Sequence, residues 1–482
     1  MIIQSAWQLS LDFFPKKAVV VAPKTSQLTS DAGLLPIRQF DERIGLTAQF
    51  AAALHDPRRQ DSTAHTFAEM VCMRVYGILA DYADQNAHDV LRYDPVFKII
   101  AGRCPEGREL ASQPTLSRFE NAIDIPSLRR LQDVLIDQFI ASFSTPPRRL
   151  TFDIDVFDDP THGQQQLTFF HGYYDQYQYL PRAITCKEND LVVMVALLFG
   201  TAAPTLGIED DLTHLVKRLR AVWPDVQISI RGDSGFGVPK MYTLCEDLGF
   251  DFTLGLGMNA VLKRESDPLL KEALQQYEET GQPQRLFTAF WYQAQSWPRP
   301  RWAVAKAEAH AQGTNRRAVV TNRPGAFLLP QATYDEYTER GESENRNKEL
   351  KCGLQADRLS DHRFMANYFR LYLHTLAANL LVRLRQAIAA PPPACLPSDV
   401  PVEALAGQQR HDYFNHRRER DPLGEGHPCT WRTRLIKVAA EIVVRSRRIV
   451  VKLAGSWPYL DHYRRVVESV LAVPIAVSPD SG

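Results

Sequence analysis

The sequence predicts an α/β fold with a mixed sheet, preceded by a helical block and interrupted by a largely β insertion. Three observations support this prediction. Residues 37–145 place apolar side chains mainly at helical spacing. After Pro146 and Pro147, short alternating apolar runs typical of strands begin. Strands then alternate with helices, which indicates a sheet with helical crossovers. At 482 residues, the chain is also too long for one ordinary domain.

The composition excludes wholesale disorder, because 45% of the residues are hydrophobic and 23% are charged, both near globular averages. The 56 basic and 56 acidic residues cancel, so bulk charge alone cannot hold a nucleic acid. The charges are nevertheless unevenly placed. Residues 1–150 carry 17 of each sign, residues 151–362 carry 22 basic and 29 acidic, and residues 363–482 carry 17 basic and 10 acidic. An acidic centre is therefore followed by a basic tail.

Seven scattered cysteines without a CxxC pair predict a reduced, cytoplasmic setting rather than a disulfide scaffold. The first residues lack the basic and continuous apolar segments of a secretory signal. The longest uncharged run, 191–207, is interrupted by glycine and proline and is shorter than the about 20 residues that a membrane span needs. We therefore expect no membrane partner.

Three helices are predicted in the N-terminal block. Residues 62–82 and 127–142 carry apolar side chains in helical phase. Between them, Ser112 can cap a helix with Pro114 in its early turn and Arg118 near its N-terminal end. A recognition helix that enters a DNA groove has this pattern, and so does an ordinary capped surface helix.

The predicted core contains three or four strands followed by a helix, a strand, a helix and a strand. Apolar and polar residues alternate along 150–156, which predicts a strand with one face of each kind. The other predicted elements are strands at 165–171, 176–185, 192–199, 226–230 and 252–256, and helices at 208–223 and 239–248.

The β insertion is predicted at 257–330, where strand-like runs follow a polar helix. Long helices are expected next, at 334–359 and 364–389, before a stiff proline-rich linker at 389–394. The basic segment 430–452 contains a strand-like alternation, which suits either contact with a DNA backbone or a solvated surface.

Three aspartates are candidate metal ligands. Asp153 and Asp155 lie two residues apart on the first predicted strand, so both project from its polar face. Asp233 follows the strand at 226–230, in a turn that contains two glycines. Ligands collect at strand ends of α/β sheets, and convergent carboxylates without Cys or His favour Mg²⁺ or Mn²⁺. Taken alone, each aspartate is more typical of a solvated turn.

A stripe of functional side chains is predicted on the helix at 334–359. At about 100° per residue, six side chains fall in one narrow sector: Tyr337, Arg340, Glu344, Lys348, Lys351 and Arg358. An aromatic hydroxyl and four cations around one carboxylate suit a metal ligand beside a phosphate backbone. The alternative is an ordinary ion pair of Arg340 with Glu344, worth about 0.3–0.5 kcal/mol.

These motifs resemble those of a known family. Residues 153–166, Asp-Ile-Asp-Val-Phe-Asp-Asp-Pro-Thr-His-Gly-Gln-Gln-Gln, resemble the first acidic motif of bacterial insertion-sequence transposases of the IS-thirteen-eighty group, and residues 230–236 resemble the second. The segments 110–121, 169–175 and 458–461 are also similar to family segments. The Y-(2)-R-(3)-E-(6)-K spacing of the wider IS-four superfamily is reproduced by Tyr337, Arg340, Glu344 and Lys351.

The resemblance implies an RNase H-like catalytic core with an Asp-Asp-Glu triad. Carried over to this sequence, the triad is Asp155, Asp233 and Glu344, with Asp153 as the rival of Asp155. The triad would hold two Mg²⁺ or Mn²⁺ ions in each active site. The residues expected to hold DNA phosphates are Tyr337, Arg340, Lys348 and Lys351.

The resemblance also implies a domain organisation and an activity. Residues 1–145 would bind DNA ends, 146–256 and 331–390 would form the catalytic core, 257–330 the β insertion, and 391–482 a basic region for DNA contact or dimerisation. The implied enzyme binds the terminal inverted repeats of its element, cleaves there by hydrolysis and transesterification, and inserts the element into target DNA. Its expected partners are double-stranded DNA and a second copy of the chain, in the nucleoid of a bacterial cytoplasm.

Two other functions fit parts of the sequence. A catalytically inactive descendant that binds element ends would explain Phe157, because the family usually has threonine at that position. The intact triad and the stripe argue against this alternative. A metal-dependent hydrolase of small phosphate esters would need neither the helical N-terminal block nor the basic C-terminal block.

Overall fold

A ten-stranded mixed sheet forms the centre of the part of the chain that the structure describes. This computed structural model describes residues 7–475, except 12, 14–16, 18, 25, 60, 62 and 390–425. The strands in chain order are β1 (Leu9–Leu11), β2 (Val19–Val21), β3 (Gln27–Thr29), β4 (Arg149–Val156), β5 (Asp159–Pro160), β6 (Phe169–His171), β7 (Gln176–Cys186), β8 (Val192–Phe199), β9 (Gln227–Gly232), β10 (Asp251–Leu256), β11 (Gln284–Tyr292), β12 (Arg301–His310), β13 (Gly313–Thr321), β14 (Ala440–Arg445) and β15 (Arg448–Leu453).

Helices surround the sheet and form the N-terminal block. They are α1 (Leu34–Ile44), α2 (Leu46–Ala52), α3 (Phe67–Leu79), α4 (His88–Leu91), α5 (Pro95–Ile100), α6 (Gln113–Asn121), α7 (Ile125–Ile140), α8 (Ile208–Val222), α9 (Pro239–Asp247), α10 (Ala260–Glu265), α11 (Asp267–Thr280), α12 (Pro330–Thr338), α13 (Gly341–Lys348), α14 (Phe364–Ile388), α15 (Pro428–Trp431) and α16 (Leu460–Ala472). None of the helices in the described ranges is long and apolar enough to cross a membrane.

The centre of the sheet has the strand order β8-β7-β4-β9-β10. β4 pairs antiparallel with β7 and parallel with β9, and β9 pairs parallel with β10. The two parallel connections run through α8 and α9, as parallel neighbours require a crossover. The prediction of an α/β fold with a mixed sheet is therefore confirmed.

The strands of segment 257–330 continue the central sheet. β13 pairs antiparallel with β10, β12 with β13, and β11 with β12. The helices α10 and α11 precede these strands, and Ala273 on α11 is buried in a small cluster with Ala307 and Ala309 on β12. The segment is therefore bonded directly to the core strands.

The helical N-terminal block shares one apolar core with later parts of the chain. Buried residues of α1 to α7, of α14 and of the segment 431–470 belong to the same hydrophobic cluster. In addition, β3 pairs with β14, so residues near both ends of the chain join one small sheet with β15. The predicted helices at 62–82 and 127–142 correspond to α3 and α7, and the helix predicted to start after Ser112 corresponds to α6.

The prediction of one long helix over 334–359 is wrong. α12 ends at Thr338, α13 runs from Gly341 to Lys348, and a π-helical turn covers Glu349–Gly353. Glycine and serine at the start of α13 are weak helix formers. In the π turn the Leu354 N–H donates to the Glu349 carbonyl at 2.8 Å, which widens the helix. The predicted stripe is therefore interrupted, and the exposed Arg358 lies beyond it.

The strand predicted at 165–171 is shorter in the structure, where β6 covers only Phe169–His171. The preceding glutamines make tertiary hydrogen bonds instead. The Gln165 side chain donates to the carbonyls of Leu359 and Asp361, and the Gln166 N–H donates to the His362 carbonyl. The predicted linker at 389–394 lies, apart from Ala389, outside the described residues.

Candidate active site

Asp155 lies near the carboxyl end of β4, in a half-enclosed position with 16% of its side chain exposed. Its Oδ1 accepts a hydrogen bond of 2.9 Å from the N–H of Val156. Its Oδ2 accepts two hydrogen bonds of 3.1 Å, from Arg340 Nη1 and Asn347 Nδ2. One charged and one neutral donor from the 340–347 region therefore converge on the same carboxylate oxygen.

Asp153, the rival of Asp155, is used in a buried ion pair. Arg231 Nε and Nη2 donate to its two carboxylate oxygens, each at 2.7 Å. Both side chains are only 2% exposed. Arg231 Nη1 also donates to the Glu336 carbonyl at 2.6 Å, so this pair joins β4 and β9 to α12. A carboxylate fully engaged by a bidentate guanidinium is unsuited to bind a metal ion.

Asp233 lies one residue beyond β9, at the same edge of the sheet as Asp155. The register pairs Ile154 with Gly232, so the two aspartates follow adjacent positions of parallel strands. Asp233 Oδ1 accepts a hydrogen bond of 2.9 Å from the Gly235 N–H, which holds the turn. The turn packs tightly on β10, because a Cβ at Gly255 would lie 2.6 Å from the Ser234 nitrogen.

Glu344 on α13 reaches this edge from the other side and is largely exposed, at 57% of its side chain. Its Oε1 accepts a hydrogen bond of 2.7 Å from Arg340 Nη2. Since Arg340 Nη1 holds Asp155, the guanidinium of Arg340 bridges the two acids. The ion pair that was the structural alternative for the stripe is thus present, and it also engages Asp155.

The charges of this cluster perturb one another. Burial raises the pKa of Asp155, and the neighbouring charges of Asp233 and Glu344 raise it further against the opposing effect of Arg340. Burial alone would lower the pKa of Arg340, but the charge of Asp155 raises it above its usual value. Burial raises the pKa of Tyr337, and the charge of Asp233 contributes to this shift. The three acids are therefore close enough to interact electrostatically.

The other predicted cations differ in position. Lys351 Nζ forms an ion pair with Asp158, a residue of the loop that follows β4. Burial alone would raise the pKa of Asp158, but the hydrogen bond from Lys351 lowers it. Lys348 is exposed at the end of α13. Arg340 and Lys351 thus face the acidic edge, and Lys348 faces solvent.

The triad has the donor chemistry of a divalent-cation site. Carboxylates alone, without Cys or His, suit Mg²⁺ or Mn²⁺. As the side chains stand, no group of three or more His, Cys, Asp or Glu residues in the described ranges is placed to hold a metal ion. The guanidinium of Arg340 lies between Asp155 and Glu344. If Arg340 released the two acids that it bridges, the exposed side chain of Glu344 would be free to join Asp155 and Asp233 as the third metal ligand.

Two residues beside the acids were missed in the sequence analysis. Asn347 is buried and donates to Asp155, and its position three residues after Glu344 could have indicated a shared helix face. Tyr174 lies on the turn between β6 and β7. Burial is the main cause that raises its pKa, and the negative charges of Asp158, Asp155 and Asp233 raise the pKa further. Its segment, 169–175, was noted only for its similarity to a family segment, and no residue in it was assigned a role.

Phe157 follows β4 directly and belongs to the large apolar cluster, where it is 6% exposed. Its N–H donates to the Pro181 carbonyl at 3.0 Å. The ring therefore packs into the apolar core.

Part of the basic segment 430–452 is a hairpin of β14 and β15 that displays arginines. Arg445, Arg447 and Arg448 are exposed at its tip. Arg432 instead donates to the carbonyls of Ile78 and Leu79 and is bound to the helical block. Within residues 430–452, the cluster of exposed arginines therefore lies at the tip of the hairpin.

Comparison with known proteins adds two findings. A family model described as transposase DDE domain, group 1, matches residues 12–394. No curated protein matches the chain. Among the solved structures that match is one described as the cryo-EM structure of a piggyBac transposase synaptic complex with hairpin DNA. It is 13% identical, the alignment covers 82% of each chain, and the TM-score is 0.42.

Proposed function

The chain belongs to the DDE transposase family (transposase DDE domain, group 1), and from this premise we propose that it cuts DNA at the ends of a mobile element and joins those ends to target DNA. The observations that support this proposal are the positions of Asp155 and Asp233 at the ends of adjacent parallel strands and the hydrogen bonds by which Arg340 bridges Asp155 and Glu344.

We propose that the core is RNase H-like and that the chain is a member of the IS-thirteen-eighty group. Three antiparallel strands followed by two helical crossovers to parallel strands support the first assignment. The two acidic motifs and the Tyr-Arg-Glu-Lys spacing support the second. The segment 257–330 lies between Asp233 and Glu344 in the sequence, and its strands lengthen the sheet. The IS-four superfamily has an insertion at this place in the chain.

The proposed metal site uses Asp155 as the shared ligand and Asp233 and Glu344 as the ligands of one ion each. Two Mg²⁺ or Mn²⁺ ions, when bound, would stabilise the attacking and the leaving oxygen of an in-line displacement. The pKa of Asp155, raised by burial and by the two other acids, fits a carboxylate that is stabilised by added positive charge. Arg340 provides that charge in the present arrangement.

The chain's own cations would position the DNA. Arg340 lies between Asp155 and Glu344, Lys351 pairs with Asp158, and both cations can bind phosphates next to the scissile bond. Tyr337 adds a half-buried hydroxyl beside Asp233. Asn347 keeps its hydrogen bond to Asp155 when Arg340 turns to a phosphate, so the carboxylate stays oriented. Water would attack first, and the freed 3′-hydroxyl would attack a second phosphodiester, in the opposite strand or in target DNA.

The DNA would be held by regions outside the acidic core. We propose that the helical block 1–145 binds the element ends and that the exposed arginines of the β14–β15 hairpin contact the backbone. Joining two ends requires that they be brought together, so the active complex is proposed to be a homodimer.

A test uses the full chain and DNA that carries the sequences flanking its gene. The wild type is expected to nick this DNA in Mg²⁺, and Glu344→Gln and Asp155→Asn are expected to lose at least 1,000-fold in rate, about 4 kcal/mol, while binding is retained. Glu342→Gln, an exposed acid on the same helix, is the matched control and should cleave normally.

Three outcomes separate the functions. Cleavage that survives both triad substitutions contradicts the site assignment. Specific binding without cleavage in the wild type supports an inactive DNA-binding descendant. Absence of any DNA binding leaves the small-ester hydrolase, which chromogenic phosphate esters would reveal.

A further inference from the structure

An aromatic hairpin lies beside the proposed active site and is not explained by the triad or by the phosphate-binding cations. It consists of β6, the turn at residues 172–175 and the first residues of β7. Five large apolar or aromatic side chains within eleven residues are at least two-fifths exposed: Leu167, Phe169, Phe170, Tyr173 and Tyr177. Tyr173, at the tip, is 85% exposed. Exposed apolar groups this concentrated mark an interaction surface.

The hairpin is held rigidly. β6 pairs with β7 in the register Phe169 to Gln178 and His171 to Gln176. The N–H groups of Tyr174 and Asp175 both donate to the His171 carbonyl, at 3.2 and 2.9 Å, which closes the turn. The exposed rings are therefore presented by a fixed backbone rather than by a loop without internal bonds.

The hairpin is also joined to the acidic edge. Gln176 Nε2 donates at 3.1 Å to Asp158, the carboxylate that pairs with Lys351. Tyr174 packs on the same small apolar cluster as Val156, which directly follows Asp155. DNA bound with its scissile phosphate at the triad would therefore pass close to the exposed rings.

The rings of the hairpin are arranged edge to face. Phe170 and Tyr177 have centroids 5.6 Å apart with planes at 68°, and Tyr173 and Tyr174 have centroids 5.0 Å apart with planes at 89°. In such a pair, the ring that presents its edge keeps both of its faces uncovered by its partner. Planar uncovered faces suit the stacking of nucleobases, which is tolerant of sequence.

We propose that this aromatic hairpin binds unpaired nucleobases of the DNA next to the cut phosphodiester, with Tyr173 and Phe170 as stacking residues. The inference rests on the proposed function, since it requires DNA at the neighbouring acids. The bases must be unpaired, because the faces of paired bases are covered by their neighbours in the duplex. The hairpin carries no Lys or Arg between residues 167 and 177, so its contribution is stacking and not phosphate binding.

The test uses the full chain without divalent metal, so that no cleavage occurs. The probes are a blunt duplex of about 20 base pairs and the same duplex with a single-stranded extension of about four nucleotides that contains 2-aminopurine. The wild type should bind the extended probe more tightly and quench the 2-aminopurine fluorescence. Tyr173→Leu and Phe170→Leu should each weaken binding of the extended probe about fivefold or more, with less quenching. Tyr173→Phe keeps the ring and should behave as wild type.

The outcomes distinguish this inference from the proposed function. If both leucine variants bind and quench like the wild type, the stacking role is refuted even when the triad variants lose cleavage. If the leucine variants instead lose self-association in sedimentation and keep DNA binding, the face is a contact between copies and the inference is refuted. If stacking is observed but the wild type cleaves no flanking DNA, the inference about binding is supported and the proposed function fails. Asp155→Asn should retain the preference for the extended probe.

Discussion

Replacing Asp153 by asparagine removes one charge from a buried ion pair without changing the size of the side chain. Asp153 and Arg231 are each 2% exposed, and two hydrogen bonds of 2.7 Å join them. Asparagine leaves the Arg231 guanidinium charged in a place from which water is excluded. Arg231 also holds the Glu336 carbonyl at 2.6 Å, so the loss affects the contact of β4 and β9 with α12.

The expected cost follows from this burial. Breaking a fully buried ion pair by removing one partner typically costs about 3–5 kcal/mol when the remaining charge is uncompensated, and Glu339, 3.8 Å from Arg231, places the expected cost at the lower end, about 3 kcal/mol. Asp155→Asn, two residues further along β4, provides the matched comparison. Its ion pair with Arg340 is partly exposed, and burial already opposes its charge by raising its pKa. We therefore expect Asp155→Asn to change the free energy of unfolding by less than about 1 kcal/mol.

Urea unfolding followed by circular dichroism measures the free energy of unfolding, and nicking of flanking DNA in Mg²⁺ measures the cleavage activity. Asp153→Asn should unfold at clearly lower urea, whereas Asp155→Asn should unfold near the wild-type midpoint and fail to cleave. If Asp153→Asn is as stable as the wild type, or if Asp155→Asn is equally destabilised, the assignment of a structural and a functional aspartate on one strand is refuted.

Three further predictions concern charge. Arg340→Ala should bind Mn²⁺ about tenfold more tightly, ~1.4 kcal/mol, because the cation between Asp155 and Glu344 is removed. Titration calorimetry measures this affinity, and an unchanged value would contradict the proposed metal site. Burial lowers the pKa of both His88 and His374 to about 3, so the stability that they contribute is complete above about pH 6.5 and is lost as the pH falls from there towards 3. Urea midpoints at several pH values should therefore fall on acidification, and His374→Gln should reduce that fall. The double substitution of the exposed arginines, Arg447→Ser with Arg448→Ser, should reduce the slope of log Kd against log salt for duplex DNA by about 1.8. An unaltered slope would exclude contacts of these residues with the DNA backbone.

Much of the fold followed from local patterns. The strand at Val192–Phe199 was predicted with its observed bounds, and the helix at 208–223 and the strand at 226–230 were displaced by only one or two residues. These elements are predictable because a buried strand or an amphipathic crossover helix requires a specific apolar period in its own sequence. The interruption of the long helix predicted at 334–359 was missed, because apolar periodicity does not mark a break at Glu339–Arg340 or a π turn, and the two break residues form ion pairs with Lys187 and Asp155 in other parts of the chain.

The candidate site divides in the same manner. Asp155 and Asp233 were predicted as candidates from strand ends and a glycine turn, and the triad with Glu344 from the resemblance to family motifs. The choice between Asp153 and Asp155 needed the structure, because alternation places both on one face and only the partner strand shows that Arg231 occupies Asp153. The hydrogen bond of Asn347 to Asp155 and the position of Tyr174 beside the acids join residues that are distant in sequence or on different elements.

From its sequence alone, this protein could be assigned an α/β core with acids at strand ends and a cation-rich segment after them, because periodicity and motif spacing are local properties of the chain. The bridging of Asp155 and Glu344 by Arg340, the pairing of β3 with β14 and the aromatic hairpin beside the acids were decided by tertiary structure. Each depends on which distant residues share a place in space, and neither propensity nor periodicity carries that information.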